Sequence, residues 1–223
     1  SYSVTGVQTC ALPISSTWGP RWMPDGQRII IGLERNDADQ LALTNLSGME
    51  LRFLTSNGDG DHWDARPAPD GKSVAFVFRR YDDLNRADIC VIDLETGAAQ
   101  TVYGRPKTRA WSPRWSPNGE WLAFISQENG HDDLWMAHPD GSGLRQVTRL
   151  GLDVVEFAWA PNSKSIAATL NRGGSFELAL ITPKTGNADI LRDLPGVHSN
   201  PNWSPGGVDR KSTRLNSSHR IRY

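Results

Sequence analysis

The stretch PRWSPNGEWLAFISQENGHDDLWMAHPDGSGLRQVT, residues 113–148, packs two turn signals into one short unit. Pro117 presets φ for the second position of a tight turn, Asn118 suits the third, and Gly119 takes the positive φ that follows. Such a turn closes a hairpin. Its flanks, residues 110–116 and 121–126, are short, rich in aromatic and β-branched residues and partly alternating, which is the pattern of strands. Further on, Asp133 opens an apolar run that ends in a glycine turn, and this closes a second hairpin. Two hairpins make four antiparallel strands, lettered A to D within the unit.

The unit recurs. PRWMPDGQRIIIG, ARPAPDGKSVAFV, PRWSPNGEWLAFI, FAWAPNSKSIAAT and PNWSPGG align on Pro24, Pro69, Pro117, Pro161 and Pro205, at steps of 45, 48, 44 and 44 residues. The second marker recurs as DQLALTNLSG, DICVIDLETG, DLWMAHPDGSG and ELALITPKTG, with Asp39, Asp88, Asp133 and Glu177 in the same place. A repeated four-stranded sheet of about 45 residues reads as a β-propeller blade. A stacked solenoid of this period would show helical spacing, and there is none. The fold class is therefore all-β, an incomplete β-propeller of about four four-stranded antiparallel blades of a larger ring. Fourteen Pro, 21 Gly and nine Trp agree with many short strands joined by tight turns.

The pattern P-x-W-S-P-D-G-K-x-I-A-F, followed by D-L-W, D-G and R-x-[LV]-T, closely resembles the WD40-like PD40 repeat, and residues 113–148 match it almost throughout. The resemblance covers residues 18–207. It extends to two groups: TolB-type periplasmic propellers, and the N-terminal propellers of prolyl-oligopeptidase-class (S9) serine peptidases. Three departures stand out: Pro67 replaces the strand A Trp of the second unit, Ser163 replaces a turn Gly, and Gly206 replaces an Asp.

The two ends do not belong to this pattern. VTGVQTCALPI, residues 4–14, and DRKSTRLNSSH, residues 209–219, can be written as reverse complements of one DNA stretch. Ile14 as ATC faces Asp209 as GAT, Pro13 as CCG faces Arg210 as CGG, and Leu12 as CTT faces Lys211 as AAG. The implied bases resemble a sequencing-library adapter. We therefore expect residues 1–14 and 209–223 to be adapter-derived, to pack against nothing specific, and to flank a propeller fragment at residues 15–208. A gene cut on both sides is expected to lack further blades.

Removing those ends lowers the basic count from 24 to 19 and the acidic count from 25 to 24, so the body is mildly acidic. That balance argues against a nucleic-acid partner. No apolar run approaches the roughly 20 residues of a membrane span. Cys90, the one cysteine outside the ends, reads as a small core residue, and compartment stays open between cytoplasm and periplasm.

Recurrence separates structure from chemistry. Trp22, Trp115, Trp159 and Trp203 are expected to fill gaps between adjacent sheets, and Asp39, Asp88, Asp133 and Glu177 to accept backbone hydrogen bonds at the start of strand C. No catalytic residue is expected: there is no G-x-S-x-G elbow, and GGSFE around Ser175 lacks the second Gly. His62, His131, His138 and His198 are expected in separate loops, with no metal pair and no cofactor. NGDGDHWD, residues 57–64, starts like a calcium loop but has His62 where Gly is needed and Ala68 where Glu is needed, so it reads as an acidic connection between blades.

One insertion is not shared. From the turn Pro to the strand C acid the spacing is 15, 19, 16 and 16 residues, and the long one holds FRRYDDLNRAD. Arg79, Arg80, Tyr81, Asp82, Asp83 and Arg86 are the candidate contact residues, expected to lie beside residues 59–64 and 105–109. Guanidinium and phenol groups on a rigid scaffold suit recognition of a peptide substrate or a protein partner at one propeller face. A solvated loop with internal ion pairs is the other reading. By resemblance, the chain is either the non-catalytic propeller of an S9 peptidase, serving a missing C-terminal α/β-hydrolase domain, or a TolB-like interaction propeller without chemistry.

Overall fold

The computed structural model describes residues 17–56, 58–191 and 201–204. The adapter-like ends, His198, Asn57 and the fifth turn at Pro205 lie outside the described residues. Every element among the described residues is a strand, arranged in four four-stranded antiparallel sheets with simple meander order.

The first blade holds β1 (Thr17–Trp22), β2 (Arg28–Arg35), β3 (Ala38–Asn45) and β4 (Leu51–Phe53). In the second are β5 (Gly60–Pro67), β6 (Ser73–Arg80), β7 (Ala87–Asp93) and β8 (Ala99–Tyr103). The third comprises β9 (Ala110–Trp115), β10 (Leu122–Ser126), β11 (Asp133–Ala137) and β12 (Arg145–Gln146). The fourth runs through β13 (Asp153–Trp159), β14 (Ile166–Arg172), β15 (Ser175–Thr182) and β16 (Asn187–Leu191). Successive strands A (β1, β5, β9, β13) neighbour one another and form the shared inner edge of the blades.

The turns fall where Pro-Asp-Gly places them. Gly26, Gly71, Gly119 and Ser163 donate to the carbonyls of Met23, Ala68, Ser116 and Ala160, closing the four A–B hairpins. Ser163, standing in for Gly, still adopts the left-handed backbone at φ 59. Its hydroxyl accepts a bond from the Asn118 amide of the preceding blade at 3.1 Å, which helps offset that strain.

Apolar residues are buried in three layers, each between two adjacent blades. Met23, Ile30, Leu41, Val74, Phe76 and Ile92 pack between the first and second. Val77, Ile89, Tyr103, Phe124 and Trp135 fill the next gap, and Ile125, Leu134, Phe157, Trp159 and Ile166 the last. Alternation explains the split: Val74 and Phe76 face one neighbour, Ala75 and Val77 the other, so a sheet covered on both faces is buried along its length. Cys90 is buried in the first layer.

A recurrent bond registers one blade on the next. The indole Nε1 of Trp115 donates to Arg66 O at 2.8 Å, Trp159 to Arg114 O at 3.1 Å, and Trp203 to Ala158 O at 3.0 Å. Trp22 departs from the expectation: it is 58% exposed, because no earlier blade among the described residues covers it. Farther out, strand D reaches the C–D turn of the following blade. Arg52 donates to Leu94 O, Gln100 to Pro139 O and Arg145 to Pro183 O.

Two further expectations are corrected. The acids opening strand C are satisfied mainly by side chains rather than by backbone: Asp133 by Thr148 and Gln146, Asp88 by both arms of Arg86, and Glu177 by Arg172. Backbone amides there also turn to side chains: Leu134 N donates to Thr148 Oγ1, Leu41 N to Thr55 Oγ1 and Asp39 N to Asp61 Oδ1. Of the stretch 57–64, expected as an acidic connection, residues 60–64 belong to strand β5 (Gly60–Pro67), and His62 lies in that strand rather than in a loop. Asp61 and His62 are buried there because partners from two other segments meet them.

Candidate functional site: the loop face of the second blade

Strand β6 ends in Phe78-Arg79-Arg80, and the chain crosses to β7 through the long insertion. Arg86 N donates to Asp83 O and Asn85 N to the Asp83 side chain, folding the insertion into a compact turn. Tyr81 N donates to Asp59 O, Lys107 N to Asp83 Oδ2, and Ala87 N to Thr108 O. The insertion thus sits between residues 59–61 and 105–109.

The six candidate residues divide into three groups. Arg79 and Tyr81 converge on Asp61: Arg79 Nη2 lies 2.5 Å from Oδ2, and the Tyr81 hydroxyl donates to Oδ1 at 2.6 Å. Asp61 also accepts the Asp39 amide of the first blade at 3.2 Å. Arg80 and Asp82 form a forked pair at the surface, at 2.8 and 3.0 Å. Arg86 forks onto the buried Asp88 at 2.7 and 2.8 Å, while Asp83 serves the backbone as described. Internal bonding therefore occupies much of this set, and Arg80 with Asp82 is its most outward pair.

The electrostatics follow from these partners. Burial pushes the Asp61 carboxyl up, but the bonds from Tyr81, the Asp39 amide and Arg79 outweigh it and hold the group below its ordinary value. Tyr81 is pushed up to about 12, chiefly because its proton is bonded to Asp61. Burial lowers His62, whose Nδ1–H donates to Asp39 O at 3.2 Å while its ring stacks on Phe78 at 4.8 Å. The imidazole is a neutral structural group at this junction.

Beside the loop, a cleft of about 280 Å³ opens between the second and third blades, lined by Trp63, Arg79, Ala87, Arg109, Ala110 and Trp111. Arg79 stacks its guanidinium 5.4 Å from the Trp63 ring centre. Arg109 is held by Leu84 O at 3.2 Å and lies 3.4 Å from Asn85 Oδ1. Two indoles and two guanidinium groups can cover an apolar group and a carboxylate together. Trp63 and Trp111 escaped the sequence reading, although they stand at equivalent strand A positions, four residues before Pro67 and Trp115.

Comparison with known proteins agrees with this architecture. The profile of the PD40 family, described as TolB beta propeller domain, matches residues 68–210. An uncharacterized peptidase, YuxL of Bacillus subtilis (strain 168), is 26% identical over 184 residues, covering 65% of this chain and 28% of its own length. Among solved structures, a puromycin-hydrolyzing peptidase of Mycobacterium tuberculosis superposes with a TM-score of 0.70 at 17% identity, covering 88% of this chain and 37% of that one. TolB from Acinetobacter baumannii gives a TM-score of 0.65 at 22% identity, covering 86% and 47%. At these identities the superpositions establish the fold. The chain spans 28% of the Bacillus protein and 50% of a second curated relative, an uncharacterized protein of Agrobacterium fabrum (strain C58 / ATCC 33970).

Proposed function

This chain belongs to the PD40 family of TolB-type β-propellers, and on that premise we propose that it is a non-catalytic propeller segment of an S9 serine peptidase, positioning peptides for a hydrolase domain. The observation that carries this reading is the 184-residue likeness to the Bacillus peptidase, which takes in a propeller-sized share of that longer chain. The cleft between the second and third blades supports it, since paired indoles and guanidinium groups suit a peptide's apolar side chains and carboxylates. Within the loop, Asp82, the most exposed of the paired side chains, and its partner Arg80 are the residues proposed to meet substrate beside that cleft, while the Tyr81 hydroxyl is engaged with Asp61.

The second reading is a TolB-like interaction propeller, favoured by the family whose profile the chain matches. Labelling the full-length parent product with a fluorophosphonate separates the two. A labelled serine outside residues 15–208 supports the peptidase; a reading frame that ends after the propeller replaces it with the interaction module. In a labelled parent, Arg80→Ala is expected to raise KM and leave kcat unchanged, as for a group that binds ground and transition states alike.

A further inference from the structure

Strand A carries a second repeat. Trp18-Gly19-Pro20-Arg21, Trp63-Asp64-Ala65-Arg66 and Trp111-Ser112-Pro113-Arg114 occupy the same place in three blades. In each, the second residue is left-handed, with φ 58 at Gly19, 50 at Asp64 and 54 at Ser112. Pairing with strand B shifts register across each of these segments. A bulge of this kind re-aims the side chain that follows it. Adopting it with Asp and Ser rather than Gly is costly, which marks the conformation as one the surrounding fold enforces.

The bulges deliver three arginines of neighbouring inner strands to one region. Asp64 lies between two of them, 2.5 Å from Arg66 Nη2 and 3.8 Å from Arg114 Nη1. Arg66 feels the positive charge of both Arg21 and Arg114, and Arg114 that of Arg21. Burial, reinforced by this repulsion, draws Arg66 down to about 10, so it stays charged at neutral pH. Arg21 Nε and Arg66 Nε are buried without an acceptor. The fourth blade breaks the series: Ala158 stands in the arginine position and Glu156 in the place of Asp64. Three cations and two carboxylates leave an excess of positive charge on this inner wall.

Partly buried guanidinium groups, two with a buried Nε that lacks an acceptor, demand acceptors and counter-charge, and their planar fork matches the geometry of a carboxylate or phosphate. We propose that Arg21, Arg66 and Arg114, with Asp64 between two of them, form an oxyanion site on the inner wall of the blades, taking a carboxylate or a phosphate group. A cleft of about 380 Å³ lies beside Arg114, lined also by Glu156 and Phe157. The site lies on strands A and involves none of the six loop residues, so it does not rest on the peptidase reading.

The test is titration calorimetry on this chain in low-salt, oxyanion-free buffer. The probes are inorganic phosphate, a short N-acetylated peptide with a free C-terminal carboxylate, and the same peptide as its amide. Saturable binding is expected for phosphate or for the acid peptide, with the amide at least about tenfold weaker than the acid, a difference of the size of one charge-assisted contact. Phosphate binding without an acid-over-amide preference supports the site and assigns its carrier as phosphate; acid preference assigns it as a carboxylate. Arg21→Gln and Arg114→Gln are each expected to weaken binding by about tenfold or more, and the exposed Lys164→Gln to leave it unchanged. Should either glutamine variant fail to fold, Arg114→Lys decides: it keeps the charge, loses the fork, and is expected to bind several-fold more weakly. No saturable binding by phosphate or acid peptide, or binding indifferent to these arginine substitutions, overturns the proposal.

Discussion

The contact between the first and second blades and that between the second and third are built from the same parts list, yet they are held differently. At the later contact, Trp115 closes on Arg66 O, and Tyr103 joins Ser126 at 2.8 Å and Glu128 at 3.0 Å. At the earlier one, Pro67 stands where that tryptophan would be and has no indole to donate. Asp61 works there instead, gathering the Asp39 amide, Tyr81 and Arg79 in one knot. The difference teaches that the long insertion, conspicuous as a recognition loop, also clamps the one contact among the described blades that lacks the repeat's own tie. Residues unique to one blade can therefore be structural when a recurrent residue is missing beside them.

The sharpest way to break this comparison is at the recurrent indole. Trp159 is buried in the last layer and bonded across it, so Trp159→Ala is expected to cost about 3 to 5 kcal/mol in urea unfolding. Trp22 holds the same repeat position but lies open, and Trp22→Ala is expected to change stability by no more than about 0.5 kcal/mol. Equal losses at the two positions would deny that blade-on-blade packing gives the tryptophan its role.

At the knot, Gly60 marks the closest approach. A methyl group there would sit 1.9 Å from Arg79 O and 2.7 Å from the Phe78 ring, displacing the start of β5. Gly60→Ala is expected to destabilise by about 1 to 3 kcal/mol, as overpacking does, with faster hydrogen exchange at Tyr81 N than at Ser116 N. Protection lost equally at both amides would mean that the two contacts are not separate units.

Tyr81→Phe is expected to lose about 1 kcal/mol at neutral pH, since it removes one partly exposed bond to a carboxylate. Its pH dependence has a definite sign. Tyr81 titrates near 12 in the fold but near about 10 when free, so its contribution is complete below about pH 10 and lost as pH rises through about 12. Asp61, held low, contributes above about pH 4 and fails as pH falls further. Urea midpoints for Tyr81→Phe should therefore decline less steeply than the parent's above pH about 10. Parallel alkaline curves would take the phenol out of the knot.

The smallest effect is expected at Ser163. Glycine there relieves a left-handed serine but loses the bond from the Asn118 amide, two opposed terms of about 1 kcal/mol each, so Ser163→Gly should move the urea midpoint by less than about 0.5 kcal/mol in equivalent stability. A clear gain would show that the hydroxyl contributes nothing to the contact between blades.

Sequence by itself determined the blade count among the described residues, the four A–B turns and the strands around them. These are local properties: proline's fixed φ, glycine's freedom and the two-residue period act within a few residues of chain. What only the tertiary structure decided is which charged groups meet. Asp61 read as a solvated acid because its partners lie 18 to 22 residues away, and their approach depends on sheet register and on the neighbouring blade. The partner of Asp133 was hidden for a related reason, since Thr148 lies 15 residues away and reaches it only when the neighbouring strand folds back, whereas Asp88 takes the nearby Arg86. The three inner arginines are visible as letters at a regular step, but their common field exists only once the bulged strands lie side by side. Coulomb interactions fall with distance in space, which the order of residues along the chain does not specify.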